Sequence, residues 1–164
     1  MAATYDPIAT TTLSSGASSI TFSSIPSTYT DLRLVFVGTS AANVPGEMRF
    51  NGDTSSNYSR TYLSGNGSSV SSSRDTNQTN ISMGASAITS TPMMNTVDIF
   101  SYAGSTYKTC LITSSDDRNG SGTVDRQVAL WRSTSAITEI KLTVDLTANF
   151  TTGTTATLYG IKNA

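Results

Sequence analysis

From Leu32 to Thr39 the chain reads LRLVFVGT. A period of two places Leu32, Leu34 and Phe36 on one face of a strand, with Arg33, Val35 and Val37 on the other. The same alternation recurs along the chain. SSITFSSI sets Ile20 and Phe22 on alternate positions, with Ile25 beyond them. MMNTVDIFSYA (Met93 to Ala103) and YKTCLITSS (Tyr107 to Ser115) read as strands. In VDRQVALWRS, Val124, Arg126, Val128, Leu130 and Arg132 alternate with Asp125, Gln127, Ala129 and Trp131. ITEIKLTVDL puts Ile140, Leu142 and Val144 on one face. ATLYGIK closes the pattern, with Leu158 and Gly160 opposite Tyr159 and Ile161. GEMRFNG, YSRTYLSGNG and ISMGAS are shorter candidates, the second aligning Tyr58, Arg60 and Tyr62. TYDPIATTTL is strand-like but carries Pro7, which has no N–H for a ladder, so it reads as an edge strand or an arm.

Turn chemistry divides these runs. DDRNGSG (Asp116 to Gly122) holds Asn119-Gly120, the strongest short hairpin signal in the chain. AGST joins two strands, with Gly104 available for a positive φ. PSTYTD reads as a turn or one short helical turn. Gly65 to Asn80, GNGSSVSSSRDTNQTN, is almost wholly turn-forming residues and reads as a long exposed loop or an excursion against a neighbouring subunit. The pattern predicts about eight to ten short strands in an all-β, antiparallel, single-domain β-sandwich, jelly-roll-like. Residues 1–13 form an N-terminal arm or edge strand, and 14–164 the sandwich domain.

Composition fits this fold. The 164 residues suit one domain. Ser and Thr dominate the polar positions, and branched Thr sits well on a pleated surface. Helix-forming sequence is scarce. Charged residues make up 13% and the net charge is −1, so the clustered Lys and Arg of a nucleic-acid footprint are missing. The N-terminus shows no basic stretch followed by an apolar core, and no apolar run approaches a membrane span. Neither nucleic acid nor membrane is therefore expected as a partner.

Candidate chemistry is sparse. There is no histidine, which removes the usual general base and the commonest metal ligand. A Ser–Lys pair would have to use Lys108, Lys141 or Lys162, all in strand-like runs. Most of the Asp that could pair for glycoside hydrolysis lie in turn-forming contexts. The chain is expected not to be an enzyme and to need no cofactor. The one cysteine, Cys110, reads as a small buried hydrophobe. No metal site is expected; if a hard cation bound, Asp53, Asp116 and Asp117 would be its carboxylates. Asn57, Asn66, Asn77, Asn80, Asn119 and Asn149 stand in Asn-x-Ser/Thr contexts, as expected by chance in a chain so rich in Ser and Thr.

RFNGDTSSNY, residues 49 to 58, is the loop that raises a binding question. Asn51, Gly52 and Asp53 tolerate tight backbone geometry, while Phe50 and Tyr58 anchor its ends. Should the module contact a receptor or glycan, Asn51, Asp53, Asn57, Tyr58 and Trp131 are the candidate residues. Against that, a lone strand Trp is more often core.

TYDPIATTTL, ITFSSIPSTYTDLRLVFVGT, RFNGDTSSNYS, DIFSYAGSTYKTCL, VALWRSTSAITEIKL and ATLYGIK together resemble a family of small virion proteins of tailed bacteriophages, including phages of cyanobacteria. The resemblance spans Tyr5 to Lys162 and lies in strand phrasing, with no catalytic motif. It implies a virion structural protein, placed as a capsid decoration (cement) protein on the outside of the major capsid shell. The alternative is a tail-fibre or receptor-binding module, with a host glycan as its partner. The implied partners are the major capsid protein and further copies of this chain, as a homotrimer. Met1 to Leu13 and Gly65 to Asn80 are the segments expected at inter-subunit contacts.

Overall fold

The computed structural model describes residues 4–87, 89–145 and 148–162. The described residues form twelve strands and no helix. The strands are β1 (Tyr5–Thr12), β2 (Ser19–Phe22), β3 (Asp31–Gly38), β4 (Val44–Phe50), β5 (Tyr58–Gly65) and β6 (Val70–Gln78), followed by β7 (Ile81–Ala87), β8 (Met93–Phe100), β9 (Lys108–Asp117), β10 (Gly122–Trp131), β11 (Ile140–Val144) and β12 (Thr155–Ile161). An eight-stranded sheet of order β1-β12-β3-β8-β9-β10-β5-β6 packs against a four-stranded sheet of order β2-β11-β4-β7. Every pairing is antiparallel.

The order decodes as a jelly roll with two insertions. β1-β12-β3-β8 and β2-β11-β4-β7 are the interleaved half-sheets of an eight-stranded double Greek key. The hairpin β5–β6 is inserted between β4 and β7, and β9–β10 between β8 and β11. Both insertions join the large sheet beyond β8. The large sheet therefore overhangs the small one on that side.

Alternation fixes what lies between the sheets. Leu32, Leu34 and Phe36 of β3 are fully buried, as are Met48 and Phe50 of β4 and Ile140 and Leu142 of β11. Phe36 meets Phe150 with ring centroids 5.3 Å apart, and Cys110 is buried among them. Pro7 does lie on an edge strand: β1 is outermost and its register shifts between Pro7 and Ala9.

Three expectations are corrected. The strand count is higher than the eight to ten expected. Much of Gly65–Asn80 is no loop, since Val70–Gln78 pairs along β5 as the other edge of the large sheet. The turn after β8 takes its positive φ at Ser101 (49°), not at Gly104. The Gly104 N–H donates to the Ser101 carbonyl at 2.9 Å, closing that turn. By contrast Asn119 (φ 55°) and Gly120 (φ 118°) both adopt the left-handed geometry their sequence demands.

β7 is an edge strand of the small sheet, and polar side chains of the large sheet cap it. Its register against β4 shifts opposite Gly46, and Gly84 within it has φ +93°. A Cβ at Gly84 would lie 2.5 Å from Asp125 Oδ2 and 2.4 Å from Gln127 Nε2, so only glycine fits this close approach. The backbone groups the irregularity frees find partners. Asn95 Nδ2 donates to the Met83 carbonyl at 2.9 Å, and the Ala85 N–H donates to Ser114 Oγ at 2.9 Å. Arg60 Nη1 reaches the Ser82 carbonyl at 3.1 Å, and Arg118 Nη2 the Ser86 carbonyl at 2.8 Å. Polar residues stand inside this part of the sandwich because a sheet edge has to be satisfied there.

Candidate functional site

The loop Asn51–Asn57 joins β4 to β5. Asn51 (φ 51°) and Gly52 (φ 65°) occupy the centre of a tight turn closed by the Asp53 N–H on the Phe50 carbonyl at 2.9 Å. Asn51 then fastens a distant segment. Its Oδ1 accepts from the N–H groups of Thr138 at 2.9 Å and Glu139 at 3.0 Å, and its Nδ2 donates to the Ala136 carbonyl at 2.8 Å.

Asp53 is the hub of the loop. Its Oδ1 accepts from the Ser55 N–H at 2.8 Å. Its Oδ2 accepts from Asn57 Nδ2 at 3.0 Å and from the indole Nε1–H of Trp131 at 2.8 Å. Burial pushes the Asp53 carboxyl up, but the bonds from Trp131, Asn57 and Ser55 outweigh it and hold it down at about 2.

Beneath the loop, Trp131 stacks on Tyr58 at 6.3 Å and meets Phe50 at 5.5 Å. The Tyr58 hydroxyl accepts from the Phe50 N–H at 3.1 Å and donates to the Asp53 carbonyl at 3.2 Å. Burial raises this phenol to about 12.

These positions revise the binding candidates. Tyr58 is 0% and Trp131 2% exposed, so both rings are core and offer no stacking surface to a ligand. The polar side-chain atoms of Asn51 and Asp53 and the amide nitrogen of Asn57 are engaged inside the protein. The loop is a latch that closes one end of the sandwich, with Asp53 bolting it to Trp131.

This latch makes stability depend on acid pH. Asp53 falls from its ordinary 3.8 to about 2 on folding. A depressed carboxyl contributes stability that is full above the unfolded value and is lost as pH falls through the folded one. The stability gap between wild type and Asp53→Asn is expected to hold constant from about pH 7 to about pH 4 and to shrink between about pH 4 and pH 2. Urea unfolding of both proteins at stepped pH measures it; a gap that widens on acidification would contradict the assignment.

The remaining titratable candidates are also absorbed into the fold. Lys108 is 0% exposed. Its ammonium donates to the carbonyls of Gly104 at 2.7 Å and Thr134 at 3.4 Å, and to that of Thr106. Burial lowers its pKa, and carbonyl oxygens rather than a serine hydroxyl surround it. Burial likewise pushes the Cys110 thiol up, leaving it un-ionised. Asp116 lies 2.6 Å from Arg118 Nε as a buried ion pair. Asp117 Oδ1 accepts from the Asn119 N–H at 2.9 Å, stabilising its own turn. Both Asp belong to the end of β9 rather than to a loop. Among the described residues no group of three or more His, Cys, Asp or Glu is placed to hold a metal.

Two of the surfaces that the fold leaves uncovered bear on function. One is the outer face of the large sheet, which no layer covers. There Val35 (36% exposed), Val37 (41%), Met94 (51%) and Val128 (46%) stand among threonines. The register runs Val35, Thr96, Thr113, Arg126, Leu63 across one row and Arg33, Asp98, Leu111, Val128, Thr61 across the next. The Arg33–Asp98 pair, with Nε–Oδ1 at 2.6 Å and Nη2–Oδ2 at 2.9 Å, neutralises its own charge. The second surface is a polar cleft of about 240 Å³ under the overhang, lined by Arg60, Tyr62, Ser64, Ser82, Gly84 and Asp125 among others. Sequence reading missed it because its residues come from four strands of two sheets. The chain matches no family model, no curated protein and no solved structure.

Proposed function

We propose that this protein is a capsid decoration protein of a tailed bacteriophage, bound to the outside of the major capsid shell and stabilising it without catalysis. The observation that carries the reading is the uncovered outer face of the eight-stranded sheet, with Val35, Val37, Met94 and Val128 exposed among threonines. A broad face of low net charge, partly apolar and presented by a rigid sandwich, suits docking on a repeating shell. The strand phrasing that resembles small phage virion proteins points to the same occupant.

A homotrimer fits the same account. β1 and β6 are the outermost strands at opposite edges of the large sheet. Tyr5–Thr12 and Val70–Gln78 thus supply two different surfaces, and a head-to-tail contact between them closes a ring when the rotation permits. The second placement, a tail-fibre or receptor-binding module, is favoured by the polar cleft under the overhang.

The test is reconstitution with shells of the major capsid protein of the same phage. Saturable co-sedimentation and a higher shell melting temperature are expected. A chain lacking residues 1–8 is expected to lose trimer mass by light scattering and to bind shells more weakly. Shells that neither bind the protein nor gain stability would overturn the decoration reading.

A further inference from the structure

The inner side of the overhang carries a carboxylate that the fold leaves unspent. Asp125 is only 5% exposed, yet among the described residues no hydrogen bond or ion pair engages its side chain. A buried charge is costly unless it is partnered. Its neighbours are engaged elsewhere only in part: Arg60 Nε donates to Asp75 Oδ2 at 2.6 Å and Arg60 Nη1 reaches Gln127 Oε1 at 3.2 Å, while among the described residues no hydrogen bond uses Arg60 Nη2. Gln127 Nε2 is also buried and unpartnered. It lies, with Asp125 Oδ2, against the bare Cα of Gly84. Asp125 therefore faces the cleft with its acceptor capacity free.

We propose that this cleft binds a saccharide, with Asp125 accepting hydrogen bonds from ring hydroxyls. Its lining decides between ligand classes. The guanidinium of Arg60 shares the cleft with Asp125, which disfavours a divalent cation beside a single carboxylate. A polyol satisfies both groups, because each hydroxyl donates to the carboxylate and accepts from the guanidinium. Serine hydroxyls at positions 64 and 82 add further donors and acceptors around the same space. Tyr62 supplies a ring, held in place by the Arg60 guanidinium 4.4 Å from its centroid. A cleft of about 240 Å³ accommodates a single sugar residue rather than a long chain.

The site depends on neither virion placement. Asp125, Arg60 and Tyr62 project from the inner face of the large sheet, opposite Val128 and Leu63 on its outer face. A module docked through the outer face would present the cleft to solution.

The test is amide NMR of the full chain titrated separately with methyl glycosides of glucose, galactose, mannose and N-acetylglucosamine, and with calcium chloride. At least one glycoside is expected to shift the amides of Tyr62, Ser82, Gly84 and Asp125, saturating at millimolar concentration, about the range of a weak single-sugar site. Asp125→Asn is expected to weaken that binding at least about tenfold with the melting temperature kept. Tyr62→Ala, on the overhang and away from the core, provides a second variant with the same expected direction. No glycoside shift up to about 50 mM, shifts confined to other surfaces, or a response to calcium alone would each overturn the proposal.

Discussion

Trp131→Ala is expected to cost about 4 kcal/mol of unfolding free energy, the scale of a large aromatic removed from a close-packed core. Trp131 is 2% exposed, stacks on Tyr58, meets Phe50 and donates its indole N–H to Asp53. Truncation opens a cavity between the rings and releases the loop that Asp53 holds. A fall of about 10 °C in melting temperature follows for a domain of this size. Trp131→Phe separates the two contributions. It keeps most of the ring packing and loses only the hydrogen bond to a carboxylate, so its cost is expected at about 2 kcal/mol. Equal losses for both variants would mean that the bond to Asp53 carries the latch. A loss below about 1 kcal/mol for Trp131→Ala would show that the ring is not at the centre of this end of the core.

The second large effect is on assembly. Val35→Asp combined with Val128→Asp is expected to weaken shell binding about a hundredfold or more. Val35 is 36% and Val128 46% exposed. The two stand on β3 and β10 with β8 and β9 between them and two residues of offset along the strands, about 16 Å apart at ordinary strand spacing. A docked shell subunit would have to desolvate both introduced carboxylates, whereas in the free protein they remain in water. The melting temperature of the double variant is therefore expected to stay within a few degrees of wild type, about the effect of surface substitutions. Tyr62→Ala, on the opposite side of the same sheet, is expected to leave shell binding intact. Co-sedimentation of the three proteins with shells reads the difference. Unchanged binding by the double variant would mean that another surface faces the shell.

Much of the sandwich was legible because its strands obey the period of two. Leu32, Leu34 and Phe36 are buried together, as alternation requires of a strand with one face on the core. β6 was not legible. Its run VSSSRDTNQ is exposed at almost every residue, so neither face leaves a hydrophobic trace, and its residues are those that also build turns. β10 misleads in another way. Its buried face is Asp125, Gln127, Ala129 and Trp131, while the apolar Val124 and Val128 point outward. The polar pair faces inward because β7 crosses it at Gly84, a tertiary cause with no local signal. The latch is equally non-local. Asp53 and Trp131 are 78 residues apart, so the loop's wording announces a tight turn but not its partner. The Asn51–Gly52 turn itself was readable, since few residue pairs tolerate two successive left-handed conformations.

The most direct test of the decoration reading is cryo-electron microscopy of the native particle, locating this chain's density. The account predicts density arrayed over the shell, with the strand face bearing Val35, Val37, Met94 and Val128 toward the capsid and the Asp125 cleft outward. Density found only at the tail, or a module seated with its cleft against the shell, would contradict it.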